Sequence, residues 1–297
     1  MKTLLLVDGM AYVYRAYYAI PTMTTQHGLH TNAVFGFVRM LEHMLAAAAP
    51  DYIAVCFDTR EPTFRHAQFA DYKAQRPPMP EPLVEQLPWI KEYLRTLNIV
   101  TLEYPGYEAD DVIATLACHA RDNDMMALIA SSDKDLCQLV QPRIAILKAS
   151  LQDAEVWDEA AVVAKYGVRP DQIVDYLTLV GDASDNIPGV PGIGPKTAQM
   201  LLQTYQTLDA ICDRIDELKP AVQVKLRGAM TRLAQVRDLI RVHCSVPVKE
   251  GIDELALREP DVERLTALRA QLNFRTPAAA TPRTSSGQRQ PDLFAAS

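Results

Sequence analysis

The sequence predicts an α/β protein, a largely parallel sheet flanked by helices, followed by a second, all-helical unit. Three observations carry this: apolar runs that each lead to an aspartate, helical periodicity between those runs, and the end of the strand pattern near residue 160. The first run, residues 3–7, ends at Asp8; the second, 52–57, ends at Asp58; the third, 127–130, leads through two serines to Asp133. Each reads as a short buried strand with a carboxylate at its C-terminal end. Between them, residues 33–45 place Phe37, Met40, Leu41 and Met44 at helical spacing, and residues 111–120 do the same with Val112, Leu116 and Ala120. Strands alternating with helices build a parallel sheet, and ligands bind beyond the carboxyl ends of its strands. One such aspartate is an ordinary turn residue; three together mark a site. Further on, residues 171–180, 197–205, 208–215 and 222–242 read as helices, and 276–297, rich in Ala, Pro, Thr, Ser and Gln, as a disordered tail.

At 297 residues, with 48% hydrophobic and 23% charged, the chain has an ordinary globular composition and room for two folded units. Its five cysteines, Cys56, Cys118, Cys137, Cys212 and Cys244, form no C-x-x-C pair, which predicts free thiols, a reducing cytoplasm and no structural zinc. The apolar run at 4–7 is too short for a signal peptide, and no stretch approaches a membrane span. A cytoplasmic monomer with no membrane partner is the expectation. The net charge of −7 counts against a nucleic-acid partner unless the acids are concentrated in one place.

Residues 107–111 put Glu108, Asp110 and Asp111 at the start of a helix, where carboxylates also serve simply as caps. Asp182 and Asp185 stand three apart, enough for one helical turn, and Asp135 follows Asp133. Nine acids (Asp8, Asp58, Glu108, Asp110, Asp111, Asp133, Asp135, Asp182, Asp185) would make a pocket that repels itself unless cations fill it. Oxygen-only donors select Mg²⁺ or Mn²⁺, and so many of them call for two or more ions. A two-metal site suits in-line attack at phosphorus. Setting those nine charges aside turns the net −7 into +2, so DNA is no longer excluded.

The glycine-rich stretch 189–198 is not a Walker loop, because Pro195 separates Gly194 from Lys196 and no strand precedes it. It fits a turn between helices, with Gly192 and Gly194 permitting close backbone approach and Pro195 opening the next helix. Amides at that helix start, with Lys196 and Thr197, suit a phosphate and are blind to sequence. Residues 186–241 carry eight Lys/Arg against five Asp/Glu. Residues 60–80 interleave Arg60, Arg65, Lys73 and Arg76 with Phe64, Phe69 and Tyr72. That pattern suits a single strand, bases on the rings and phosphates on the cations, or equally an amphipathic surface helix ended by Pro77 and Pro78.

The segments VDGMAYVYRAYYA, CFDTREPTFRHAQFADYKAQRPPMP, YEADDVIATLA, SDKDLCQLV and GDASDNIPGVPGIGPKTA resemble the 5′ nuclease domain of bacterial DNA polymerase I. They are similar, more distantly, to phage 5′ nucleases and flap endonucleases, and the resemblance covers about residues 3–275. It implies a PIN-like or resolvase-like catalytic domain over 1–165 with a helical arch at about 60–88. A helix-hairpin-helix-type (helix-three-turn-helix) DNA-binding module over 166–275 follows, with its hairpin at 186–198, and then the tail, 276–297. It further implies all nine acids as metal ligands, and Lys73 and Arg76, with Tyr72 beside them, as catalytic residues of the arch. Duplex would be gripped at Gly192, Gly194, Lys196 and Thr197, and K⁺ held by backbone carbonyls near Val190 and Ile193. The implied activity is hydrolysis at 5′ ends and flaps of DNA, with or without an RNA primer, in replication and repair. Met10 stands where Ser is usual, Asn32 where Gly is common, and Ser131-Ser132 replace Thr-Gly; none removes a ligand. No polymerase module precedes the end at Ser297, the expectation for a free-standing 5′ nuclease. Gln290, Asp292, Leu293 and Phe294 resemble the bacterial sliding-clamp motif, with Pro291 replacing the usual Leu, so a clamp is an expected partner. A non-catalytic DNA-binding relative would have lost strand-end acids, and a PIN-like ribonuclease would lack the glycine hairpin and the arch.

Overall fold

Strand β1 (Thr3–Asp8), buried from Leu4 onward, lies inside a six-stranded sheet. The computed structural model describes residues 1–274, so Gln290, Asp292, Leu293 and Phe294 lie outside the described residues. Asp8 ends the strand by capping helix α1 (Gly9–Ala19), accepting the Ala11 N–H at 3.0 Å. Only glycine fits next to it, because a Cβ on Gly9 would lie 2.5 Å from the Phe57 ring. Helix α2 (Asn32–Ala48) buries Phe37, Met40, Leu41 and Met44 at the predicted spacing. Strand β2 (Tyr52–Cys56) runs parallel to β1 with Cys56 opposite Asp8. Three helices follow: α3 (Phe64–Gln68), α4 (Glu81–Val84) and α5 (Leu87–Thr96). Across 60–88, where an arch is expected, the five-residue α3 is followed by turns and then by the four-residue α4 and the start of α5.

Strand β3 (Val100–Leu102) pairs with β2, helix α6 (Ala109–Asp122) returns across the sheet, and β4 (Met126–Ala130) pairs with β1 on its other side, Ala130 opposite Val7. Strands β5 (Ile144–Ala149) and β6 (Ala154–Trp157) complete the order β3-β2-β1-β4-β5-β6, with β6 antiparallel. Alternate strand residues feed two cores. Leu4, Leu6, Ala54, Cys56, Ala127 and Ile129 join α6, whereas Leu5, Val7, Ile53, Val55 and Leu128 join α1, α2 and α5.

Helix α7 (Glu159–Tyr166) stops at left-handed Gly167, and α8 (Ile173–Val180) begins the helical unit. A two-residue hairpin, β7 (Gly181–Asp182) with β8 (Ile187–Pro188), interrupts it. Gly181 has φ +86°, and a Cβ on Gly189 would lie 2.3 Å from the Val180 carbonyl carbon, so two glycines clamp the turn at 182–185 to the end of α8. Helices α9 (Pro195–Tyr205), α10 (Leu208–Asp213), α11 (Pro220–Ile240) and α12 (Val262–Gln271) follow. The core around α6 continues without a break through Leu177, Leu202, Leu226 and Leu233 of the helical unit. Helix α12 returns to the opposite face of the sheet, where Leu268 joins the core of α2 and α5.

Candidate active site

In-register parallel pairing brings the ends of β1, β2 and β4 to one edge, and the start of α6 meets them there. Asp8, Asp58, Asp110 and Asp133 line a crevice of about 1180 Å³ together with Glu108, Lys73, Arg76, Arg60, Lys91 and Arg95. Asp8 accepts from Ser131 Oγ at 2.8 Å and Asp58 from the Ala109 N–H at 2.9 Å, which fixes both carboxylates. Burial pushes the Asp8 carboxyl up to about 7, with the Asp58 and Asp133 charges adding to it. Burial also raises Asp110, and Asp133, Asp8 and Asp58 reinforce the shift. Asp8, Asp58 and Asp110, all raised by burial and close to one another and to the Asp133 charge, form one electrostatic unit.

Asp135, Asp182 and Asp185 form a second group, with carboxylate oxygens all within 4.8 Å of one another. Asp133 Oδ1 accepts the Asp135 N–H at 2.9 Å and so joins the two groups. Burial, then Asp133, raises Asp135 well above the ordinary range, and its buried Oδ1 has no hydrogen-bond partner. Burial works on Asp182 as well, but hydrogen bonds from Lys134 (2.7 Å) and Ser184 outweigh it and leave that carboxyl lowered. An all-oxygen donor set, one oxygen of it orphaned, fits hard divalent cations.

Tyr72, Lys73 and Arg76 stand between Glu108 and Asp185. Tyr72 Oη lies 3.0 Å from an oxygen of each carboxylate, its one O–H shared between them, Lys73 Nζ lies 2.7 Å from Glu108, and Arg76 lies 2.6 Å from Asp185. Burial opposes the Lys73 ammonium, yet Glu108 and Asp185 outweigh it and raise its pKa, so it stays charged. Lys73 adopts φ +55°, rare for a side-chain-bearing residue, and its N–H donates to the Asp185 carbonyl at 3.0 Å.

Two expectations are corrected. Asp111 does not face the crevice: one residue along a helix is a turn of about 100°, and this turns its side chain toward α11. There both oxygens take a bidentate pair from Arg65 (2.7 and 2.8 Å), and Oδ1 also accepts the His243 N–H at 2.9 Å. Nor do the aromatics of 60–80 form a row of open stacking faces: Tyr72 is 2% exposed, and half-buried Phe64 and Phe69 pack on His243 and Tyr107 and on the core respectively. Arg65, itself 2% exposed, further donates to the carbonyls of Leu239 and Arg241, tying α3, α6 and the end of α11 together. Arg65→Leu is expected to leave Asp111 buried and unpaired and to destabilise the protein by about 3–5 kcal/mol in urea unfolding. A loss below about 1 kcal/mol would show that the pair is replaceable. The sequence reading misses Lys134 altogether and, although it names Arg65 and Ser131, misses that they hold Asp111 and Asp8.

At the glycine turn, Gly192 has φ +79°, Gly194 caps α9, and Lys196 is exposed with Thr197 half-buried beside it. Val190 and Ile193 bury their side chains, and the Ile193 N–H donates to the Val190 carbonyl at 2.9 Å. Two cations of α11 reach the same turn, Lys225 Nζ to the Gly192 carbonyl (2.8 Å) and Arg232 to the Gly189 carbonyl (2.9 Å).

Asp8, Asp58, Asp110 and Asp135 are all shifted upward, so the folded chain holds protons that the unfolded chain releases above about pH 4. In chelator, stability contributed by these groups falls as pH rises from there toward 7. Divalent cations bind the deprotonated forms. The Tm gain from Mg²⁺ over EDTA is therefore expected to grow between about pH 5.5 and pH 8; a gain independent of pH would separate ion binding from these carboxyls.

Comparison with known proteins agrees with this architecture. Residues 3–167 match a family described as 5′-3′ exonuclease, N-terminal resolvase-like domain, and residues 168–263 its C-terminal SAM fold. The 5′-3′ exonuclease of Aquifex aeolicus is 38% identical over 276 residues, 93% of this chain and 94% of that protein. The thermostable DNA polymerase I of Thermus aquaticus is 42% identical over 273 residues, covering 91% of this chain but 32% of that one. The chain thus spans about a third of the length of the DNA polymerase I relatives it matches. Among solved structures, T5 5′-exonuclease with bound divalent zinc superposes with a TM-score of 0.65 at 20% identity over 92% of this chain and 98% of that one. The catalytic core of Rad2 in complex with DNA substrate superposes at 0.60, with 16% identity over 91% of this chain and 88% of that one. These matches set the class first: a nuclease built on a resolvase-like sheet and a SAM-type helical unit. The chain belongs to the 5′-3′ exonuclease family. No described helix is long and apolar enough to cross a membrane.

Proposed function

We propose that the protein hydrolyses phosphodiester bonds at 5′ ends and 5′ flaps of DNA, leaving 5′-phosphates, in replication or repair. The observation that carries this reading is the pair of adjoining carboxylate groups at the sheet edge, Asp8, Asp58, Asp110 and Asp133 beside Asp135, Asp182 and Asp185. Two divalent cations, Mg²⁺ or Mn²⁺, would be held there and supply Lewis acidity at the attacking and leaving oxygens. Glu108 borders both groups and holds Lys73 and Tyr72 in place. Lys73 and Arg76 turn from Glu108 and Asp185 to the scissile phosphate when DNA arrives, balancing the charge that develops on its oxygens. In this reading residues 1–165 form the catalytic unit and 166–275 the duplex-holding unit.

Duplex lies against Gly192, Gly194, Lys196 and Thr197, where exposed amides and an ammonium meet the phosphate backbone. K⁺ at the Val190 and Ile193 carbonyls belongs to the same reading and is tested by exchanging K⁺ for Na⁺ in duplex binding. Lys196→Ala is expected to weaken binding to duplexes of any sequence and to lower the salt slope by about one. Loss confined to one sequence would contradict backbone recognition. A sliding clamp is proposed as partner of the motif at 290–294, tested by titrating the 276–297 peptide with Leu293→Ala and Phe294→Ala as controls. The deciding experiment for the activity itself is product-length analysis on a 5′-labelled double flap with Mg²⁺ and with excess chelator. Cleavage undiminished by chelator, or no cleavage of flap and 5′ end alike, rejects the reading.

A further inference from the structure

On α6, Asp111, Thr115 and Cys118 stand at positions i, i+4 and i+7 and so line one helix face. The chain leaving α11 runs along that face. His243 N–H donates to Asp111, Thr115 Oγ1 lies 3.3 Å from the His243 carbonyl, and Val246 N–H donates to Thr115 Oγ1 at 3.0 Å. Cys244 falls between these anchor points, so the tethers to Asp111 and Thr115 hold it beside the face of α6 that carries Cys118. Both are free thiols, Cys118 half-buried and Cys244 exposed, so a small oxidant reaches them. The Cys244 thiol, opposed by burial and helped by the Arg121 guanidinium nearby, lowers Cys118 to about 7, whereas burial raises Cys56, Cys137 and Cys212. A sulfur with thiolate character, a cation beside it and a second sulfur in reach is the arrangement of a reactive dithiol.

We propose that Cys118 and Cys244 form an oxidant-responsive dithiol, closing to a disulfide when a hydroperoxide reaches it. The Cys118 thiolate attacks the peroxide, breaking the O–O bond, taking one oxygen to become the sulfenic acid and releasing hydroxide. Cys244 sulfur then attacks Cys118 sulfur, the S–S bond forms, and the sulfenic oxygen leaves as water. Overall, two thiols lose two protons and two electrons, and hydrogen peroxide becomes two waters. The bridge spans segments already in contact, so it fastens the chain leaving α11 to the helix that carries Glu108 and Asp110 without displacing either. It is independent of the nuclease reading, since neither sulfur lines the acidic crevice.

The test treats the full chain with a slight excess of hydrogen peroxide, alkylates it, and maps peptides without reduction. A Cys118–Cys244 cross-linked peptide is expected, the free-thiol count falls by two, and Tm rises in a manner reversed by dithiothreitol. Cys118→Ser and Cys244→Ser, conservative enough to preserve the fold, should each abolish the cross-link and the Tm rise. An unchanged thiol count, oxidation of Cys118 to sulfinic acid with Cys244 still free, or a disulfide joining two chains would each overturn the proposal.

Discussion

Asp110→Ala, and separately Asp133→Ala, give proteins that still bind a 5′-flapped duplex in Ca²⁺ yet cleave it at least about 10³-fold more slowly in single turnover with Mg²⁺. Asp110 occupies the first turn of α6, and Asp133 follows β4 and joins the two carboxylate groups through its bond to the Asp135 N–H. In the proposed reading either change removes a metal ligand, and it also relieves repulsion among the remaining acids. In chelator, thermal stability is therefore expected to hold or rise, while the gain on adding Mg²⁺ shrinks. That combination separates a lost ligand from a damaged fold, which would lower both. Cleavage within about tenfold of the parent would take these two carboxylates out of the reaction.

Lys73→Ala carries the second large effect, a fall of about 10²- to 10³-fold in the chemical step with DNA affinity nearly unchanged. Its ammonium stays charged because Glu108 and Asp185 hold it, and it sits at the edge of the crevice where a phosphate can compete for it. Arg76, with about half its side chain exposed, should cost less when truncated. Stopped-flow binding beside quench-flow cleavage distinguishes the two roles. A Lys73→Ala enzyme whose cleavage rate matches the parent would reduce the ammonium to a tether for Glu108.

Strands β1, β2 and β4 are legible in the sequence because each is a continuous apolar run ending in a carboxylate, and a parallel sheet aligns those ends. Strand β3 has three residues, too few to show a period, and β6 is a half-exposed edge. Strand β5, IAILKA, is apolar enough to pass as part of a buried helix. Among the acids, Asp110 and Asp111 look alike in one dimension; only the rotation of α6 against α11 separates a crevice carboxylate from a structural one. Arg65 and Tyr72 read as surface groups because an arginine and a tyrosine hydroxyl are rarely buried without partners, and their partners lie tens of residues away in sequence.

Apolar packing passes unbroken from the sheet into α8, α9 and α11, and α12 folds back over the far face, so the two family regions share one continuous core. A fragment of either would bare the leucines that the other covers. The molecule is expected to melt as one body, in a single calorimetric transition. Exchanging one half for that of a distant relative would require the shared seam to be rebuilt residue by residue.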